Sequence, residues 1–377
     1  MAGDAWGFDV ERQRLARALF TTRFRIGLVR SAVFAAGVGL FLLLGGSAAL
    51  RDLGGGGSPW LIVFAYFTVL YVALDLAALP FAAHGHALET RFGLARQGWR
   101  GWGLDTLKST AIGYVLTLVG VAGLYWLLRD LPALWWLVAW AAGLGITAVA
   151  GMIAPVVLLP LFYKVTPLQD PALASRLRAL ADRAGVPVLG VFVVRASAKT
   201  RRSNAALAGA GRTRRILLTD TLLATHTPDE IEAVLAHEIA HQKHRDFLAG
   251  FAESAATSLV SPVVLQAVLP WAASLLGLQG IADPAGMPIL MLGAGAVSLA
   301  FGPIERALSR RREARADGFA LTMAGDPPAF ASAMVRLHDE NLSWAQPPRW
   351  LESLLLSHPA GWRRVAAARA SPGRALK

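Results

Sequence analysis

The sequence predicts a mainly α, polytopic membrane protein of about six transmembrane helices, with a small cytoplasmic α+β portion carrying a short sheet. Three observations predict it. Hydrophobic residues fill 55% of the 377 positions and charged residues only 16%, with a mean hydropathy of +0.46. Soluble chains stand at roughly 45–50% apolar even with glycine counted. The apolar residues gather in runs of about 20 residues or more, enough to cross a hydrocarbon layer of about 30 Å. Between the runs, Lys and Arg alternate from abundant to scarce, the pattern of loops on opposite sides of a bilayer.

Charge and composition narrow the function classes. The net charge of +12 raises nucleic acid as a partner, but no aromatic–basic recognition motif is present and the basic residues lie between apolar spans. The charge therefore reads as membrane topology, with the lipid bilayer and not nucleic acid as partner. The absence of cysteine excludes disulfides and thiolate ligands, so any metal is held by His and carboxylate. Heavy use of Ala, Arg and Gly fits a GC-rich bacterial source.

Residues up to Arg30 are polar, with Arg12, Arg14, Arg17, Arg23 and Arg25, and read as an uncleaved cytoplasmic lead-in. Spans are expected at about 31–50 and 60–83, joined by a loop containing Gly54 to Gly57. The stretch 84–108, with Trp99, Trp102 and several arginines, suits a headgroup boundary. A third span follows at about 109–128. A fourth, long or bent, runs to Phe162 with Pro155 and Pro160 near its end. From Lys164 to about Arg245 the chain is soluble in character. Asp170-Pro171 caps a helix with the stripe Leu173, Leu177 and Leu180, ended by Gly185. Short strands are expected at 191–194, around 204–208 and at 216–219. Thr227-Pro228-Asp229-Glu230 is a capping box opening the next helix, which is expected to run without a breaker into a fifth span at 247–276. A sixth span at 287–304 leads to Ser309–Asp317, and the tail offers helices at 330–342 and 350–367. The chain thus divides into a membrane region (1–163), a cytoplasmic segment (164–246), a transmembrane hairpin (247–308) and a C-terminal cytoplasmic segment (309–377). The three loops opposite the Arg-rich ones carry only Arg51 and Arg129, so both termini are expected in the cytoplasm.

The chemistry centres on His237-Glu238-Ile239-Ala240-His241. Histidines four apart on a helix share one face, with Glu238 beside the gap between them, which is the layout of a zinc site with its own general base. Two histidines leave a catalytic zinc one protein ligand short. Glu313 is the candidate, because the intervening hairpin goes out through the membrane and returns to the side it left. Asp317, one turn further, is placed to accept a hydrogen bond from a ligand histidine and fix its tautomer.

With these residues in view, the chain resembles the type I CAAX prenyl endopeptidases, membrane-embedded zinc proteases of the gluzincin type. The matching pieces are Arg91-Phe92-Gly93, Asp105 with Lys108, Ala154-Pro155 through Lys164-Val165-Thr166-Pro167-Leu168, and Ser203-Asn204-Ala205. They continue with Arg215 to Leu223, His237 to His241, Ser309 to Asp317, and Ser357-His358-Pro359 with Arg364. The resemblance implies one Zn2+ per chain held by His237, His241 and Glu313, and Glu238 as the base that activates metal-bound water. It implies substrate contact at Asn204 and Ala205 by strand addition. His358 and Arg364 are implied as catalytic donors to the oxyanion, and the spans as the walls of an intramembrane chamber. The chain departs from the family pattern at Ala206-Leu207, where aromatic residues are common, and at Ala240, where Gly is.

Blander readings exist for each residue. The histidine pair could be a polar helix face, Glu313 a neutraliser of neighbouring arginines, Asn204 a turn residue, and His358 with Arg364 a snorkelling surface. His244 and Asp246 read as an interfacial pair and Glu253 as reaching headgroups. Asp75, inside a span, reads as lining a wet chamber. The expectation is an integral-membrane zinc metalloendopeptidase acting at the cytoplasmic face of a bacterial inner membrane. Its substrates would be polypeptides that are prenylated or membrane-embedded, CAAX-like or damaged. A metal-dependent transporter or an inactive scaffold for client chains is the alternative.

Overall fold

The long apolar runs become helices whose ends are set by local chemistry. In a computed structural model describing residues 3–209 and 211–372, α1 (Val10–Leu43) starts where Asp9 accepts from the Arg12 N–H. Gly45, at φ +76°, then turns the chain into α2 (Gly46–Asp52). The run expected as one span at 31–50 is therefore broken after Leu43, because glycine takes the left-handed conformation at little cost. The outermost residues of the expected terminal segments, 1–2 and 373–377, lie outside the described residues. α3 (Pro59–Arg91), α4 (Trp99–Asp130) and α5 (Trp135–Phe162) follow, α5 being the long fourth span.

The polar segment after α5 folds as a small sheet backed by helices. Its strands are β1 (Val165–Pro167), β2 (Gly190–Val194), β3 (Ala205–Ala208) and β4 (Arg215–Thr219), in the order β1-β2-β4-β3. β2 and β4 are parallel, with Val191 beside Ile216, and the two outer strands are antiparallel to their neighbours. β1 is an addition to the three expected strands. At three residues with a proline among them, it has too little pattern to be read from sequence. α6 (Pro171–Arg183) lies between β1 and β2 with the expected cap, since Asp170 accepts from the Leu173 N–H, and Leu173, Leu177 and Leu180 are buried. α7 (Asp220–Thr225) follows β4.

α8 (Pro228–Lys243) has both hydrogen bonds of the Thr227/Glu230 capping box, and Ile231, Leu235 and Ile239 are almost wholly buried. Burying such side chains stabilises by about 1.5–3 kcal/mol each. α8 does not run on into the next span. Arg245, at φ +54°, breaks the chain before α9 (Asp246–Leu275). A non-glycine residue there carries strain that surrounding contacts must hold. α10 (Met287–Ala324) then runs as one helix of 38 residues from the membrane region to the site. The tail gives α11 (Pro327–Glu340), α12 (Arg349–Leu355) and α13 (Gly361–Ala370). The single helix expected at 350–367 is thus two, interrupted at Leu356–Ala360, where Pro359 removes a donor and biases His358 away from helical backbone.

Among the described residues, six helices are long and apolar enough to cross a membrane: α1, α3, α4, α5, α9 and α10. Their outward faces carry exposed apolar side chains such as Leu116 and Leu299, which lipid would cover. The Lys/Arg-poor connections meet at one end of this bundle. Arg51 pairs with the fully buried carboxylate of Asp283 at 2.5 Å, Tyr125 approaches the Asp283 carbonyl, and Arg129 lies 5.0 Å over the Trp60 ring. The sheet and α8 lie at the other end, tied to α4 by the ion pair between Lys199 and Asp105.

Candidate metal centre and substrate cleft

The helical spacing of α8 sets His237 and His241 with their Nε2 atoms 3.3 Å apart. α10 packs beside α8 and brings Glu313 to them. Its Oε2 lies 3.2 Å from His237 Nε2 and its Oε1 3.6 Å from His241 Nε2. The three donor groups lie within 4.8 Å of one another.

Each histidine is oriented through its other nitrogen. His237 Nδ1 lies 2.9 Å from Asp317 Oδ1, and Arg364 grips the same carboxylate through Nε at 2.8 Å and Nη2 at 2.6 Å. His241 Nδ1 lies 2.8 Å from Asp246 Oδ2, and Arg315 pairs with the second oxygen. In the neutral tautomer that gives Nδ1–H to its aspartate, each imidazole turns its Nε2 lone pair toward Glu313, whereas a protonated His237 donates there instead. The centre is then a convergence of acceptors. Glu313 Oε2 is buried and makes no well-formed hydrogen bond, its nearest polar neighbours being His237 Nε2 at 3.2 Å and His358 Nε2 at 3.4 Å, and such a carboxylate costs free energy in a protein interior unless a cation or a proton satisfies it. Burial works against a charge on His237, yet its bonds with Asp317 and Glu313 prevail and lift its pKa to about 9. The carboxylates that favour a proton here favour a metal ion equally, and two imidazoles with one carboxylate suit zinc.

Glu238 is half-buried on the same helix, and burial raises its carboxyl above the usual range despite the neighbouring histidines. It lines a cleft of about 520 Å³ that also takes in His237, His358, Arg364, Asn204 and Ala205. The break between α12 and α13 delivers His358, which is exposed, with Nε2 3.4 Å from Glu313 Oε2 and Nδ1 2.9 Å from Ser357 Oγ. Arg310, one turn before Glu313, holds that loop by donating to the carbonyls of Glu352 and Leu356 at 3.0 and 2.6 Å. β3 is the outer strand of the sheet, with Asn204 exposed just ahead of it. Thr219 Oγ1 holds the Asn204 backbone, accepting its N–H at 2.9 Å and donating to its carbonyl at 3.1 Å.

Of the sequence-predicted site residues, Asn204, Ala205, His237, Glu238, His358 and Arg364 line this cleft, and His241, Glu313 and Asp317 lie behind it against His237. Asp246 does not pair with His244, as the sequence suggests. It serves His241, while the His244 ring packs edge-on against Phe319. The one available signal was an aspartate five residues after the second histidine, and its meaning depended on the left-handed Arg245. Glu253 pairs with Arg312, and Asp75 accepts from Thr110 inside the bundle.

The chain is similar to several known proteins. A family profile described as CAAX prenyl protease N-terminal, five membrane helices, matches residues 8–164, where this structure has four helices long enough to span. The chain is 29% identical over 301 residues to the metalloprotease YhfN of Bacillus subtilis, covering 79% of this chain and 71% of that one. It is 37% identical over 173 residues to CAAX prenyl protease 1 of Saccharomyces cerevisiae, covering 44% of this chain and only 37% of the yeast protein. The crystal structure of S. mikatae Ste24p has the same fold, with a TM-score of 0.85 at 23% identity over 96% of this chain and 89% of that one. Peptidase family M48 matches residues 167–371, which take in strands β2 to β4, both candidate histidines, Glu313 and helices α11 to α13, and with more than half of its length so matched the chain belongs to that family as a membrane-integral metalloprotease.

Proposed function

We propose that the chain is a zinc metalloendopeptidase that cuts polypeptides entering its cleft at the cytoplasmic face of a bacterial inner membrane. Lipidated, CAAX-like chains and damaged membrane proteins are the substrate class that suits a cleft opening beside membrane helices. The observation that carries this reading is the buried Glu313 carboxylate facing the Nε2 atoms of His237 and His241, with Glu238 and an open strand edge in the adjoining cleft. The catalytic segment (164–246) and the tail (309–377) then form one site, joined by the hairpin between them.

Bound by His237, His241 and Glu313, zinc supplies a Lewis acid for the scissile carbonyl and acidifies water. Glu238, its carboxyl raised by burial, takes the proton of the attacking water and hands it to the leaving amine. The outer edge of β3, with Asn204 and Ala205, pairs with the substrate backbone, which accepts many sequences. His358 is aimed into the cleft as a donor to the developing oxyanion. Arg364 faces the same cleft but commits two donors to Asp317, so it acts chiefly by holding the Asp317–His237 pair. The test is detergent-purified protein, assayed for zinc and for cleavage of farnesylated and plain peptides, with and without a chelator. Stoichiometric zinc and chelator-sensitive cleavage are expected, and Glu238→Gln should keep the metal while losing about 10²- to 10⁴-fold in rate. Zinc without cleavage of any peptide, or full activity in Glu238→Gln, returns the protein to the transporter or scaffold class.

A further inference from the structure

A second cavity, of about 560 Å³, lies where α3, α4 and α5 reach the sheet end of the bundle, and it shares no lining residue with the substrate cleft. Its walls come from His86 and Glu89 on α3, Trp102 and Asp105 on α4, Tyr163 just after α5, and Lys199. Ser109, which opens the apolar run of α4, and Phe162, which closes α5, are in the wall too. The cavity therefore sits at the depth of lipid headgroups, where aromatic residues collect.

Its polar groups are only partly satisfied. Arg23 and Arg202 both reach Glu89 through Oε1, and Gln97 and Lys199 both reach Asp105 through Oδ2. Glu89 Oε2 and Asp105 Oδ1 are left without a donor among the described residues. The His86 ring stacks on Trp102 at 5.3 Å and meets Trp99 edge-on at 4.8 Å. The residue is 8% exposed, yet neither ring nitrogen has a hydrogen-bond partner among the described residues. A buried imidazole left so in a cavity wall costs free energy that a ligand recovers. Lys199, over the Tyr163 ring at 4.9 Å, spends one N–H on Asp105 and keeps two. Arg91, Arg96, Arg100 and Lys108 on the same boundary are exposed and make no ion pair among the described residues.

These groups ask for both signs of charge. The carboxylate oxygens need a donor, and the rings of Trp102 and Tyr163 favour a cation. Lys199, His86 and the basic rim favour an anion. A free anion meets the second half alone, and a simple cation the first. At headgroup depth, the group that carries both is the polar end of a zwitterionic phospholipid.

We propose that this cavity binds one phospholipid with a primary ammonium headgroup, the ammonium on Glu89 and Asp105 beside Trp102 and the phosphodiester on Lys199 and His86. An ethanolamine headgroup brings the N–H donors these acceptors lack, whereas a choline headgroup of the same net charge has none. The Lys199 carbonyl accepts from the Arg96 and Gln97 N–H groups at 2.9 and 3.2 Å, and the chain reaches Asn204 five residues later. A bound headgroup thus ties the approach to β3 to the bilayer. The site stands independently of the peptidase reading.

The test is native mass spectrometry of the delipidated full chain in detergent, titrated with phosphatidylethanolamine, phosphatidylcholine and phosphatidylglycerol of one acyl composition. One tightly held ethanolamine lipid is expected, with an affinity about tenfold above the choline lipid, the size of a charge-assisted hydrogen bond. Asp105→Asn and Glu89→Gln should each lower that ratio. His86→Phe, which keeps the ring stack, should weaken both lipids, and Arg129→Gln, at the opposite end of the bundle, should change neither. Because two lipids are compared on one preparation, loss of folded protein cancels from the ratio. Equal affinity for ethanolamine and choline lipids overturns the proposal, as does a ratio that survives Asp105→Asn and Glu89→Gln combined. Tighter binding of phosphatidylglycerol than of the ethanolamine lipid, or displacement of the lipid by inorganic phosphate, also overturns it and makes the cavity an anion site.

Discussion

Each candidate donor histidine gives its second nitrogen to an aspartate, and each aspartate is held in turn by an arginine, yet the two arrangements come from different parts of the chain. Asp317 reaches His237 from α10, with Arg364 behind it. Asp246 reaches His241 from the first position of α9, with Arg315 behind it. Both carboxylates are nearly inaccessible, so replacing one by an amide leaves the arginine without its counter-charge and one of the two donors without an acceptor. Asp246→Asn should weaken zinc binding by about 10- to 100-fold, as other partners of metal-bound histidines do. Competition against a chromophoric chelator would measure it, and unchanged affinity would remove Asp246 from the site. His237, Glu238 and His241 were legible because a four-residue spacing on a helix leaves little geometric freedom. Asp246 was not, since its side chain reaches back to His241 only through the backbone reversal at Arg245, which nothing in the residue types announces.

The elements divide in the same way. α6 and α8 declared themselves through Asp170 and Thr227, because caps act over three residues and depend on nothing distant. The six spans followed from length and hydropathy, and Glu313 from the fact that a hairpin returns to the side it left. The loop at Leu356–Ala360 was only partly legible, since Pro359 marks a break in the sequence while the contacts that hold the loop open are distant: Arg310 on two carbonyls, and Glu352 accepting from the Ala360 N–H at 3.0 Å. Arg310→Gln should release the loop and misplace His358 without touching a metal donor. Zinc content should stay stoichiometric while kcat falls by about tenfold or more, in line with the cost of losing an oxyanion donor. A fall in zinc content alongside kcat would mean instead that α10 had shifted.

For the whole molecule, the question is which side of the bilayer holds the cleft. The Arg-poor connections gather at one end through Arg51–Asp283 and Arg129–Trp60, and the sheet with α8 lies at the other. The excess of Lys and Arg at the sheet end is the ground for the proposal that it faces the cytoplasm. The chain contains no cysteine, so single cysteines report cleanly. In intact cells, Gly56→Cys in the loop between α2 and α3 should react with an impermeant maleimide, and Gln169→Cys ahead of α6 should react only after lysis. The reverse pattern would put catalysis on the outside. The unbroken run of α10 has a further consequence. From Met287 to Glu313 it is a rod of about 39 Å, so a tilt of about 5° at its membrane end sweeps the carboxylate through roughly 3 Å. That is close to the 3.2–3.6 Å now separating Glu313 from the two imidazoles. Tilting is one way a long span meets a change in bilayer thickness, and a tilt of that size, if carried past Pro303, would move Glu313 relative to the imidazoles by a comparable distance.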